Sequence, residues 1–229
     1  MSIILSIETS TEVASAALLS GDRIFSRESP GVHTHSETIL PMVQALLLEA
    51  GTTLAQCDAI AFGVGPGSFT GVRTACGVVQ GLAFGVDLPV VPVVTLEAMA
   101  QACYESCGAQ NVLAVLDARM GEVYWAQYRY ADDGWQAVTA PTLSAAEQVA
   151  PVGDVIACGN GLEAYAAAFS GRAFAGSLPL IMPSARQIAV LGRAAFARGG
   201  AVPLEQAQPF YLRNKIAFTT AERLAKASV

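Results

Sequence analysis

The sequence predicts an α/β protein built from two similar lobes. The first observation is an internal repeat. Asp-Ala-Ile-Ala-Phe-Gly-Val-Gly at 58–65 matches Asp-Val-Ile-Ala-Cys-Gly-Asn-Gly at 154–161 in five of eight places. The second is a pair of apolar strands, 2–7 and 111–116, each ending in an acid (Glu8 or Asp117) and turning into another strand. The third is the alternation of short apolar runs, glycine turns and helix-compatible segments, the pattern of an α/β layer structure. The 229 residues suit one large or two small domains. We read an N-terminal lobe at 1–105 and a C-terminal lobe at 106–229, the final helix packing back on the first lobe.

The elements follow in order. Strands 13–19 and 23–27, joined by Gly21-Asp22, complete a meander with the first strand. A helix spans 34–51, capped by Thr34 with Glu37 or by Ser36, with Pro41 blurring its start. Ile39, Val43, Leu46, Leu47 and Ala50 form its apolar face, while Leu40, Met42 and Leu48 lie outside that face. Strand 59–62 leads through a glycine-dense loop to a helix over 72–84. Strand 89–94, interrupted by Pro92, precedes a helix over 96–107 opened by Thr95. Strands 111–116 and 123–130 flank the turn 118–121, and Asp132-Asp133-Gly134 turns again. Strand 154–158 runs into Gly159-Asn160-Gly161 and a helix over 162–169. A short apolar run at 179–182 and a helix capped by Ser184 and reaching 198 complete the elements.

The loop after strand 59–62 carries Gly63, Gly65, Gly67 and Gly71. Strand, glycine loop and helix together can aim backbone N–H groups at an anion. No Gly-Lys-Ser/Thr closes the loop, and Ser68 stands where a GxGxxG motif needs its last glycine, so neither nucleotide fingerprint is present. A tight turn without a ligand explains the glycines equally well. With two lobes, strand-end acids and glycine turns converge on an interlobe cleft. Glu8, Gly65, Gly67, Asp117, Gly159 and Gly161 are its candidate residues for a nucleotide phosphate and its metal.

The helix after the loop is unusual. Gly77, Gly81 and Gly85 recur every four residues and form one stripe. Each interior glycine costs roughly 1 kcal/mol relative to alanine. A stripe of small residues lets a second helix approach closely, which offsets that cost. Thr74, Val78 and Leu82 flank the stripe, and Val72, Cys76, Val79 and Ala83 make a second apolar face. Helices apolar on two sides are covered on two sides. A protein–protein interface is therefore expected on these helices, at Ile39, Leu40, Val43, Leu47, Thr74, Gly77, Val78, Gly81 and Leu82.

Composition sets exclusions. Charged residues make up 14% of the chain, against roughly 25% in average proteins. Net charge is −6 and no basic cluster occurs, which argues against direct nucleic-acid binding. The start, MSIILSIETS, lacks a basic segment and a cleavage site, so no signal peptide is expected. No apolar run of the roughly 18 residues that span a bilayer exists. Five cysteines in apolar or helical settings read as free thiols of a reducing cytoplasm. Cys103 and Cys107 lie one helical turn apart without a matching pair elsewhere. His33 and His35, with Glu37, would be the one metal candidate near the N-terminus. Two histidines of a loop entering a helix explain the same residues, and no metal is expected.

IETS at 7–10, HSE at 35–37, GPGSFTGVR at 65–73, LDARMGEVYWAQY at 116–128, GNG at 159–161 and YLR at 211–213 together resemble the TsaB (YeaZ) family over the whole chain. The resemblance implies a two-lobed actin-like ATPase (ASKHA) fold, each lobe a ribonuclease-H-like mixed sheet with helices. It implies a non-catalytic partner of TsaD, the enzyme that transfers a threonylcarbamoyl group to the adenosine beside the tRNA anticodon, with the ATPase TsaE joining them. It also implies a homodimer when alone, no tightly bound cofactor, and ATP or ADP only within the complex. TsaD-type proteins bind metal through an HxxxH motif, which this chain lacks. The other function class is an ATP-using enzyme of the same fold, or a protease acting on TsaD. A protease needs a nucleophile, a base and an orienting group, and the two histidines share one loop.

Overall fold

The structure is a computed structural model that describes residues 2–30 and 35–213. Apolar residues on both sides of Ile3–Glu8 (β1) require a central strand covered on two faces. β1 pairs antiparallel with Val13–Ser20 (β2), which pairs with Arg23–Pro30 (β3). His35–Ala50 (α1) and a short 3₁₀ turn lead to Ala59–Gly65 (β4), parallel to β1. Phe69–Val86 (α2) crosses to Val90–Val94 (β5), giving the order β3-β2-β1-β4-β5. Pro92 is tolerated because β5 is an edge strand, and the Pro92 side chain is exposed.

Thr95–Cys107 (α3) enters the second lobe, where Asn111–Asp117 (β6), Glu122–Ala131 (β7) and Gly134–Ala145 (β8) form a second meander. Ile156–Cys158 (β9) runs parallel to β6, and Gly176–Leu178 (β10) parallel to β9. The order β10-β9-β6-β7-β8 repeats that of the first sheet, element for element. This doubled ribonuclease-H-like sheet is the actin-like ATPase architecture.

Each sheet is covered on both faces. α1 and α2 cover one face of the first through Ile39, Val43, Leu46, Ala75 and Val79, packed with Leu5, Ile7 and Phe62. Ala185–Ala197 (α6) covers the other, with Ile188 and Ala189 against Ile4, Ala59 and Ala61. Gly192 is required there, since a Cβ would overlap that of Ala61. In the second lobe Val112, Ala114 and Leu116 of β6 face α3. Leu113 and Val115 face Leu162 and Phe169 on the short helices Gly161–Ala164 (α4) and Ala166–Phe169 (α5). The period-two alternation of β6 thus feeds two separate cores.

Several sequence expectations differ from the structure. α2 begins at Phe69 rather than 72, because Ser68 caps it by accepting a hydrogen bond from Gly71 N. The helix expected over 162–169 is broken at Tyr165 (φ −125°, ψ 42°). The apolar run 179–182 lies beyond a strand that ends at Leu178. β8 was not expected, since Gly134–Ala145 alternates poorly and contains Pro141; it forms because β7 offers it a full antiparallel partner at the sheet edge. Met42 belongs to the buried face of α1. The proposed Thr34 cap and His33 lie outside the described residues.

Candidate functional site

Turns from both lobes meet around a cavity of about 390 Å³. The first lobe contributes Ser10, Thr11 and Glu12 after β1, residues 66–68 before α2, and Phe69 and Val72 in its first turn. The second contributes 116–120 after β6, Tyr124 and Asn160, and the segment 210–213 lines the remainder.

The glycines of the 65–71 loop serve backbone approach. A Cβ on Gly71 would overlap the Thr9 carbonyl, and one on Gly67 would lie 2.5 Å from the Ser10 carbonyl oxygen. With no side chains intervening, Ser68 N–H donates to Ser10 O at 2.7 Å and Thr9 Oγ1 donates to Gly71 O at 2.8 Å. Gly71 N–H and Val72 N–H are taken by Ser68 Oγ and Ser68 O. Ser68 N–H and Gly71 N–H are thus used within the protein, while the Val72 bond is the ordinary first bond of the helix.

Of the predicted cleft residues, Gly67 and Asp117 line the cavity. Gly65, Gly159 and Gly161 are buried behind its wall, where φ of 103° at Gly65 and 106° at Gly159 require glycine. Glu8 corrects the sequence reading most clearly. It is fully buried, accepts from Ser10 N at 2.5 Å and from Thr95 Oγ1 at 3.4 Å, and occupies the space left by Gly63. Burial pushes its carboxyl above the ordinary glutamate range.

The strand pairings explain the misreading. Leu5 stands opposite Ile60, and Val112 opposite Ile156, the repeat partner of Ile60. That register makes Val115 the counterpart of Glu8 and Ser10 the counterpart of Asp117. The first strand carries its acid two residues too early to reach the cleft.

Asp117 is committed as well. Its carboxylate accepts from Arg119 N at 2.7 Å and Tyr165 OH at 2.9 Å, and Arg119 Nη1 lies at 3.3 Å. Glu8 is sealed from the cleft and Asp117 at its wall is engaged by Arg119 and Tyr165, so the pair does not present two free carboxylates to a nucleotide-bound cation. Among the described residues, no group of three His, Cys, Asp or Glu side chains is placed to hold a metal. His35 is buried, with Nε2 3.4 Å from the Glu12 carbonyl oxygen. No helix among the described residues is long and apolar enough to cross a membrane.

The second candidate site is the outer face of α1 and α2. Gly77, Gly81 and Gly85 are exposed, and a Cβ at any of them would meet nothing within 4 Å. No helix of this chain fills the stripe among the described residues. Thr74, Val78, Leu82 and Leu47 are half-buried beside it. Leu48 is 82% exposed, Phe84 81% and Leu40 48%, more apolar surface than folding accounts for. Ile39 and Val43 are corrections to the predicted surface. At 0% and 3% exposure they belong to the core, because the sheet takes that side of α1. Sequence periodicity found the helix faces and left Leu40 and Leu48 outside the buried one; Phe84 could have been found the same way, as the apolar residue left over from the buried face of α2.

Comparison with known proteins agrees with this architecture. Residues 23–222 match the family described as TsaD, tRNA N6-adenosine threonylcarbamoyltransferase. The tRNA threonylcarbamoyladenosine biosynthesis protein TsaB of Escherichia coli K12 is 39% identical over 94% of this chain and 96% of its own. The protein of that name from Haemophilus influenzae is 38% identical over 93% and 94%. The structure of YeaZ from Pseudomonas aeruginosa superposes with a TM-score of 0.88 at 41% identity, covering 93% of this chain and all of that one. The glycine loop, the doubled sheet and these relatives converge: the chain belongs to the TsaD family of threonylcarbamoyltransferase-type proteins and, within it, to the TsaB (YeaZ) group.

Proposed function

We propose that this chain is a non-catalytic subunit in the biosynthesis of threonylcarbamoyladenosine in tRNA. It docks a TsaD-type protein on the outer face of α1 and α2, and a TsaE-type ATPase through that complex; alone, it pairs with a second copy by the same face. The observation that carries this reading is the open stripe of Gly77, Gly81 and Gly85 on an exposed helix. A helix interior with three glycines is weaker by roughly 1 kcal/mol at each than one with alanines. Among the described residues nothing packs on the stripe to offset that cost, and a closely approaching helix would. The relatives' names supply the pathway, and the chemistry of the cleft supports a role without catalysis, since both strand-end acids are committed.

The test uses three purified proteins. Light scattering after gel filtration should show a dimer of this chain alone and a mixed complex once a TsaD-type protein is added. ATP turnover by this chain alone should equal the buffer blank, and it should appear only with the TsaD-type and TsaE-type proteins present. Turnover by the isolated chain, lost on Asp117→Asn, would sink the non-catalytic reading. A mixture that elutes as separate components would sink the docking reading.

A further inference from the structure

The chain passes from the first lobe to the second through α3 and returns before α6. Neither helix contributes to the wall of the interlobe cavity. α3 packs on both lobes, through Ala98 in the first core and Leu96 and Met99 in the second, and α6 packs on β1, β4 and α3; these contacts join the lobes behind the cavity, where they can act as a hinge. A third passage lies at the cleft itself.

After α6 the backbone pairs with β5 through Val90 and Val202, then runs under α2. There the buried Ala207 carbonyl accepts from Cys76 Sγ at 2.8 Å and Gln80 Nε2 at 2.9 Å. Phe210 N–H donates to Val64 O at 2.8 Å, at the end of β4. Tyr211 accepts from Arg73 Nε at 2.7 Å, with its ring 5.7 Å from that of Phe69. The next two residues leave the first lobe. Leu212 packs on the core between β6 and α3, and Arg213 Nη2 donates to Glu122 Oε2 at 2.6 Å, with its side chain only 16% exposed. A second cross-lobe ion pair, Arg119 with Glu12 at 2.8 Å, spans the same cleft, but it is largely exposed and correspondingly weak.

We propose that residues 207–213 are an interlobe latch. Residues 207–211 anchor on α2 and β4, 210–213 line the cavity, and Leu212 and Arg213 tie the core between β6 and α3 and the start of β7 to the first lobe. The latch replaces bound ligand as the element that sets the lobe angle. This inference stands on the cleft alone and does not depend on what docks against α1 and α2.

Amide hydrogen exchange on the full chain tests it, with Arg213→Ala, Glu122→Gln and the double variant. Losing a charge-assisted hydrogen bond that closes the cleft should speed exchange about tenfold in 64–72 and in 117–124. Amides of β1 and β6 should keep their protection, and the double variant should exchange no faster than either single one. If Arg213→Ala fails to fold, Arg213→Lys keeps the cation without the planar fork, and should fall between the wild type and Glu122→Gln. The latch is refuted if both cleft segments keep wild-type exchange. It is equally refuted if only 207–213 loosens, because the lobes would then hold their angle without it. Protection of 64–72 in the wild type by added magnesium ATP would also refute it, because the cleft would then be open to ligand.

Discussion

Consider Gly81→Leu. The glycine is exposed in the middle of α2, and an added Cβ has open space around it. Leucine is a better helix former than glycine by about 0.5–1 kcal/mol, and no clash subtracts from that. For a chain of this size 1 kcal/mol moves the melting temperature by roughly 2–4 °C, so the monomer should melt about 1–4 °C higher. At a close helix–helix contact the same side chain overpacks, at a cost of about 1–3 kcal/mol. At 1.4 kcal/mol per decade, affinity for a TsaD-type partner, and for a second copy, should fall about five- to over a hundredfold. The paired assay is calorimetric melting of the isolated variant, then titration against the partner. Gly71→Ala is the contrast, since its Cβ would overlap the Thr9 carbonyl and should lower stability before any partner is added. A stabilised Gly81→Leu monomer with unchanged affinity would refute the docking argument. A destabilised monomer would mean that the stripe is filled within the chain.

Further outcomes follow from the same geometry. Gly63→Ala should destabilise the fold by about 1–3 kcal/mol, read by urea titration, because the methyl group would displace the buried Glu8 carboxylate. Glu8 itself sets a pH dependence. Burial raises its folded pKa, so the folded state holds the proton more tightly than the unfolded chain. Its contribution is therefore full below the ordinary glutamate pKa of about 4.3 and is lost as pH rises through the folded value. In Glu8→Gln that loss should vanish, and the variant should gain on the wild type with rising pH; an unchanged difference across the titration would show that Glu8 ionises freely. The net charge of −6 predicts no tRNA binding by the isolated chain at physiological salt, and a salt-sensitive gel shift at low protein concentration would contradict that.

Local physics was legible in the sequence. Strand, glycine loop and helix at 59–86 follow from apolar runs and punctuation by glycine, which act over a few residues. The repeat of that unit revealed two lobes, and the four-residue spacing of Gly77, Gly81 and Gly85 revealed a stripe. Spacing fixes which residues share a helix face, but not which face meets the sheet. Ile39 and Val43 went to the core and Leu48 to the surface because α1 has more apolar sides than the sheet can cover. Register was equally out of reach. Glu8 and Asp117 both end apolar strands, yet pairing with β4 and β9 sets them two residues apart, one sealed inside and one at the cleft wall. β8 formed against its weak alternation because β7 supplied a partner. Leu212 and Arg213 reach β6 and β7 across the cleft, the Arg213–Glu122 pair joining residues 91 apart in the chain. Periodicity and turn chemistry are properties of neighbours along the chain. Burial, register and the closing of a cleft depend on partners distant in sequence, and only the tertiary structure chooses them.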